Sequence, residues 1–163
     1  MQPTPTPSAT ELIVLCGLSG AGKTVAIRAL EDAGYYCIDH LPTAVLLPTL
    51  AVLQNQGVSR IAIGLEMSDP EFVRNAQCHW DDLVQQGFSI RAVVLTCRAD
   101  VLMRRYHETR RPHPLSKMGL STESAIAMET RALRTLPRGI HMVDTSEMTA
   151  LILTKWMQQY IDE

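Results

Sequence analysis

Several features are scarce in this chain of 163 residues, and each absence narrows what it does. There is almost no charge excess: 15 Lys and Arg against 17 Asp and Glu leave −2, so the whole molecule is not an electrostatic trap for nucleic acid. Its four cysteines, Cys16, Cys37, Cys78 and Cys97, show no Cys-x-x-Cys spacing. Three fall in or beside expected strands, where a free thiol acts as a small hydrophobe, and the set suits a reducing cytoplasm rather than disulfides or zinc. No apolar run approaches the ~20 residues needed to cross a membrane. The first residues lack a charged region followed by an apolar one, so no signal peptide is expected. Residues 1–10 instead alternate Pro with Thr and end in small polar residues. Such a segment cannot bury a core face, and it is expected to be a disordered leader to one domain over residues 11–163.

What the chain does contain begins with Leu12-Ile13-Val14-Leu15-Cys16, followed by Gly17-Leu18-Ser19-Gly20-Ala21-Gly22-Lys23-Thr24 and then Val25-Ala26-Ile27-Arg28-Ala29-Leu30. An apolar strand, a Gly-x-x-x-x-Gly-Lys-Thr turn and a helix opening form the context in which a Walker A match has a mechanism. Glycines let successive N–H groups point inward around phosphate oxygens, and the helix N-terminus adds partial positive charge. Lys23 is placed to reach the β- and γ-phosphates, and the Thr24 hydroxyl to meet Mg²⁺. The expected ligand is a nucleoside triphosphate, ATP or GTP, with Mg²⁺.

The rest of the chain alternates strands and helices, the pattern of a parallel sheet covered on both faces. The fold class expected is α/β: a P-loop NTPase of small-kinase type with a five-stranded parallel sheet flanked by helices. Helix one stops at Gly34, and Tyr35 to Ile38 forms strand two. A helix follows with apolar positions Val45, Leu46, Leu50 and Leu53. Arg60 to Leu65 is strand three, and Asp69 caps a helix that has Pro70 at its first position. Strand four covers Ile90 to Leu95, and Asp100 caps a helix through His107. Ser121, with Glu123 and Ser124, opens the next helix; His141 to Val143 is strand five, and Glu147 to Tyr160 closes the chain. Ligands in such sheets bind at the carboxyl ends of the strands.

That rule selects the polar residues of interest. Asp39 follows strand two and either serves catalysis, as a base or in the Mg²⁺ shell, or makes the turn before Leu41-Pro42. Asp144-Thr145-Ser146 follows strand five and either lines a base pocket or, as favoured, caps the last helix. Between Arg98 and Lys117 stand six cations and two acids, a local balance of +4. Within it, Arg104, Arg105, Arg110 and Arg111 are suited to phosphate oxygens, and Arg110-Arg111-Pro112-His113-Pro114 is too proline-rich to stay helical. A lid over the phosphates or a surface for a phosphorylated partner is expected there. A Walker B aspartate is missing: strand three runs into Gly64-Leu65-Glu66 and strand four into Thr96-Cys97-Arg98. Glu66 or Asp39 must substitute, and hydrolysis is expected to be slow.

The segments Gly17 to Thr24, Ala29-Leu30-Glu31-Asp32-Ala33-Gly34-Tyr35-Tyr36-Cys37-Ile38-Asp39-His40-Leu41-Pro42, Arg104-Arg105-Tyr106, Thr109 to Ser116 and Val143 to Met148 together resemble the RapZ (YvcJ-like) family of bacterial nucleotide-binding proteins. The similarity runs from about Leu12 to Tyr160. It implies weak ATPase or GTPase activity and a regulatory role, which in enteric members is that of an RNase adapter acting on small RNA. It also implies a C-terminal domain beyond the stretch present here. This chain has Gly64-Leu65-Glu66-Met67 where the family usually has Asp-Val-Arg-Asn. Two other classes stay open: a small-metabolite kinase with Asp39 as substrate-side base, and an adapter whose basic loop binds RNA or a regulatory protein with nucleotide as a switch.

Overall fold

Five strands carry the fold: β1 (Thr10–Gly17), β2 (Tyr36–Ile38), β3 (Arg60–Gly64), β4 (Phe88–Thr96) and β5 (His141–Asp144). They lie in the order β2-β3-β1-β4-β5, and every neighbouring pair is parallel. The computed structural model describes residues 8–67, 70–136 and 140–163, with residues 70–73 as backbone alone. Most of the expected leader (residues 1–7) and the expected Asp69 cap lie outside the described residues.

The centre of the sheet follows from the apolar run that fills β1. Leu12, Ile13 and Leu15 are fully buried, and β3 and β4 on either side contribute Ile61, Ile63, Val93 and Leu95. A strand with helices over both faces has no wet side, so it reads as a continuous hydrophobic stretch rather than an alternating one. The first strand starts at Thr10, which is buried and pairs in register with Phe88. The helices are α1 (Lys23–Asp32), α2 (Leu46–Asn55), α3 (Pro70–Gln85), α4 (Ala99–Thr109), α5 (Thr122–Leu133) and α6 (Ala150–Asp162). Each αβ connection returns the chain to the amino edge of the sheet, so the loops leaving the strands collect at the carboxyl edge.

Three helix starts depart from the sequence expectation. The helix after β4 takes Arg98 as its N-cap, with Asp100 in the first turn, and continues past His107 to Thr109. An acid one turn inside still favours the positive helix end without bonding the cap. Asp144-Thr145-Ser146 does not cap the closing helix, which starts at Ala150 rather than Glu147. Thr149 accepts the Ile152 N–H at 3.2 Å, while the Asp144 carboxylate accepts from the Ser146 N–H and hydroxyl. Val45, expected in the apolar stripe of α2, is 45 % exposed and sits in a short 3₁₀ turn, Thr43–Val45, ahead of the helix. Ser121 does cap α5, accepting the Ser124 N–H at 3.1 Å.

Two arrangements fix the strands at opposite ends. At the amino edge, Glu11 accepts from the Tyr35 hydroxyl and from Arg91 at 2.5 Å each, with Arg60 at 3.5 Å. Burial acts to raise the Glu11 pKa, but the bonds from Tyr35 and Arg91 and the two guanidinium charges outweigh it and hold it below its ordinary value. At the carboxyl edge, Asp39 directly follows β2, and its carboxylate packs over Gly64 of β3. A Cβ built at Gly64 would stand 2.3 Å from Asp39 Oδ1.

Because the folded pKa of Glu11 is depressed, its stabilising contribution is complete above the unfolded value, near 4.3, and is lost as pH falls through the folded value. Glu11→Gln is therefore expected to cost about 1 kcal/mol at neutral pH. That difference should close in urea titrations run below the carboxylate range; a constant difference at all pH values would show that the charge plays no part. Gly64→Ala should destabilise by about 1–3 kcal/mol through overpacking. Part of that loss should return in the Gly64→Ala, Asp39→Ala double variant, since the clash is with one side chain. Strict additivity of the two unfolding free energies would contradict the contact.

Candidate functional site

The loop between β1 and α1 is built so that its two edges do different work. Leu18 and Ala21 are 2 % and 1 % exposed and anchor the turn in the core. Gly22, the residue before α1, has φ 113°, a left-handed conformation, and a Cβ there would meet Leu153 of α6 at 2.7 Å. Both facts require glycine at that step. The loop's carbonyls are held from behind. Arg105 of α4 donates to Gly20 O at 3.1 Å and to Thr145 O at 2.8 Å, and the buried Thr145 hydroxyl donates to Ala21 O at 2.6 Å.

The N–H groups of the loop fall into two sets. Those of Leu18 and Ala21 bond within the fold, to Leu95 O and Leu18 O. Among the described residues, no protein acceptor meets the N–H groups of Gly20, Gly22, Lys23 or Thr24. They lie at the N-terminus of α1, where the aligned peptide dipoles favour negative charge. Together they can hold an anion with several oxygens.

This edge opens on a cleft of about 420 Å³ bordered by Ser19, Gly20, Lys23, Thr24, His40, Glu66, Arg105 and Arg111, among others. Lys23 donates to Leu65 O at 3.2 Å and pairs with Glu66 at 2.7 Å. Glu66 lies just past β3, the strand paired with β1. Its second partner is His40 Nδ1 at 2.8 Å, while His40 Nε2 stands 3.4 Å from Asp39. Asp39 Oδ1 also accepts the His40 N–H at 2.8 Å, which supports the left-handed His40 backbone, φ 54°. Asp39 is thus set behind His40 rather than on the cleft wall. Thr24 is exposed at the cleft, and its hydroxyl and the Glu66 carboxylate are hard oxygen donors suited to Mg²⁺.

The four arginines expected to act together are divided. Arg105 is fixed against the loop and Thr145, whereas Arg111 borders the cleft. Arg110 ends α4 with φ 52° and borders an adjoining hollow, which also includes Arg111 and Tyr106. Arg104 is exposed and is among the lining residues of neither. The proline-rich segment leaves the helix as expected and then forms a 3₁₀ turn, Pro114–Met118.

Two residues of the site were given no role of their own by the sequence, although His113 lies in the expected flap. Glu129 on α5 is 1 % exposed and reaches the loop from behind. It accepts the Ser19 N–H at 3.3 Å and the Ser19 hydroxyl at 3.0 Å. His113, also 1 % exposed, meets the same carboxylate through Nε2 at 2.5 Å. Tyr106 lies over the His113 ring, centroids 5.4 Å apart; burial first, and the Glu129 charge second, push its hydroxyl up to about 12. The one available signal was that Glu129 shares the buried stripe of α5 with Ala125, Ile126 and Leu133, where a carboxylate demands buried donors.

Comparison with known proteins agrees with this architecture. Among solved structures, the tunicamycin resistance protein of Deinococcus radiodurans superposes with a TM-score of 0.62 at 12 % identity, over 93 % of this chain and 96 % of that one. Shikimate kinase from Acinetobacter baumannii superposes at 0.53 and 15 % identity, over 92 % of each. These likenesses show the P-loop small-kinase fold. A protein of Chromobacterium violaceum described as a nucleotide-binding protein is 36 % identical over 151 residues, which span 93 % of this chain and 54 % of that protein. The chain therefore spans about half the length of the curated relatives it matches. Residues 10–162, nearly the whole chain, match one family over its length, and the chain belongs to the RapZ-like N-terminal domain family.

Proposed function

We propose that this domain binds a nucleoside triphosphate, ATP or GTP, with the loop Gly17–Thr24 around the phosphates, hydrolyses it slowly, and serves a regulatory protein. The observation that supports this most is the row of N–H groups at Gly20, Gly22, Lys23 and Thr24 without protein acceptors, beside the Lys23 ammonium. The relatives' description as nucleotide-binding proteins agrees with it. On binding, Lys23 exchanges the Glu66 carboxylate and Leu65 O for phosphate oxygens, and Thr24 with the released Glu66 would hold Mg²⁺. The ion, when bound, neutralises charge on the phosphates. Arg111 lies where it can approach those phosphates, and Asp39 orients His40 at the cleft mouth.

Slow turnover follows from the acids. Glu66 stands at the end of β3 in place of an aspartate, and in the resting chain it is engaged by Lys23 and His40. One observation favours a second reading, a small-metabolite kinase: His40 and Glu66 border the cleft, and Asp39 stands behind His40 with one ligand atom of each residue within 4.8 Å of the others. There they could receive an acceptor hydroxyl. For an RNase-adapter role, the basic segment Arg98–Lys117 is the surface in this domain that would meet RNA or a regulatory protein.

Calorimetric titration should give binding to the wild-type chain that Lys23→Ala largely abolishes while the chain stays folded, its unfolding changed only by the loss of the Glu66 pair and the Leu65 O bond. Equal affinity in both would mean that the phosphates bind elsewhere. Glu66→Gln should leave binding without Mg²⁺ intact and remove most of the gain that Mg²⁺ gives; a full Mg²⁺ effect in that variant would exclude Glu66 from the ion's shell. Hydrolysis should fall well below the ~1–100 s⁻¹ range of kinases, and an acceptor that accelerates it into that range would favour the kinase reading.

A further inference from the structure

The buried Glu129 is expensive and no part of the phosphate chemistry requires it. The hydrogen bonds define which His113 nitrogen faces it with a proton. His113 Nδ1 accepts the Leu115 N–H at 3.0 Å, so that nitrogen carries no proton. The neutral ring then has its proton on Nε2, which donates to Glu129 Oε1. Glu129 accordingly accepts from three donors, the Ser19 N–H, the Ser19 hydroxyl and the His113 Nε2–H, and no cation pairs with it among the described residues. An apolar residue in this stripe of α5 would avoid the desolvation that such a carboxylate suffers.

The two ends of this network lie in segments that meet at one cleft. Holding the Ser19 N–H fixes the Leu18–Ser19 peptide, and holding its side chain fixes the residue directly before the Gly20 N–H, the first of the donors without a protein acceptor among the described residues. Holding His113, through the Leu115 N–H, fixes the start of the 3₁₀ turn Pro114–Met118, three residues after Arg111. Ser19 and Arg111 both border the cleft, although they are far apart in the chain. Building on the nucleotide-binding reading above, we infer that Glu129 is a positioning residue that sets the phosphate loop and the Arg111 segment together, coupling the two halves of the triphosphate site through one buried carboxylate. The His113 anchor makes the segment after Arg110 a tethered arm, not a free flap.

Calorimetric titration of the whole chain with Mg²⁺·ATP and Mg²⁺·GTP, combined with amide hydrogen exchange of the nucleotide-free chain, tests this. Glu129→Ala is expected to raise Kd by about tenfold or more, the scale of one buried charge-assisted bond lost. It should also accelerate exchange at both Leu18–Ala21 and Leu115–Gly119, segments nearly a hundred residues apart. Glu129→Gln keeps an oxygen for the Ser19 N–H and His113 Nε2–H, and should hold Kd within about threefold of wild type. His113→Ala should accelerate exchange only at Leu115–Gly119; if Glu129→Ala does not fold, this variant carries the test through that exchange and a raised Kd. Wild-type-like Kd and exchange in these variants, or acceleration confined to α5, overturns the inference while leaving the nucleotide site intact. A wild-type chain that binds neither nucleotide overturns the parent reading and this one with it.

Discussion

Everything at the carboxyl edge of this sheet depends on which way the peptide groups of one short loop face. Between the end of β1 at Gly17 and the start of α1 at Lys23, the chain must reverse direction over the ends of β3 and β4. Two of the loop's carbonyls are satisfied from behind, Gly20 O by Arg105 and Ala21 O by Thr145, while Leu18 O and Gly22 O take the Ala21 and Ala26 N–H groups. Among the described residues, hydrogen-bond accounting then leaves the N–H groups of Gly20, Gly22, Lys23 and Thr24, all at the cleft, without a protein acceptor. A backbone arranged this way needs no induced change to receive phosphate oxygens, so the order is paid for in folding rather than at binding.

The same logic explains the electrostatics around the cleft. Lys23, only 10 % exposed at its side chain, is not left as an unpaired cation; Glu66 and Leu65 O hold it in the resting chain. Glu66 in turn is shared with His40, whose other nitrogen faces Asp39. Under the proposed function, a polyphosphate entering this site would compete with a carboxylate for the lysine, and the displaced carboxylate would become available to a cation accompanying the phosphates. The exchange of partners keeps the buried charges compensated at each stage.

Much of the fold was legible in the sequence, and the reasons are local. The unbroken apolar run Leu12 to Cys16 reads as a strand buried on both faces because the Gly17–Thr24 motif directly follows it, and that motif placed the loop and the first helix. The alternation of strands and helices then required a parallel sheet. Helix starts were less legible, because Asp, Ser and Thr cluster near every one. Thr149 won over Asp144 and Ser146, which bond to each other and to Arg98 instead. The arginines illustrate the same limit: spacing put Arg104, Arg105, Arg110 and Arg111 in one group, yet the helical turn of α4 sends Arg105 against the loop and Arg104 outward. The link between Glu129 and His113 was hidden for a different reason. Glu129 has no motif, His113 stood in the proline-rich basic segment without a role of its own, and their partners are distant in sequence, so only the packing of α5 behind the loop brings them to Ser19.

The most direct test of the account is a record of backbone amide resonances during titration with Mg²⁺·ATP, set against a nucleoside without phosphates. The account predicts that the amides of Gly20, Gly22, Lys23 and Thr24 shift downfield with the triphosphate and stay in place with the nucleoside, because they donate to phosphate oxygens. Saturable triphosphate binding that leaves these four amides unmoved would contradict it.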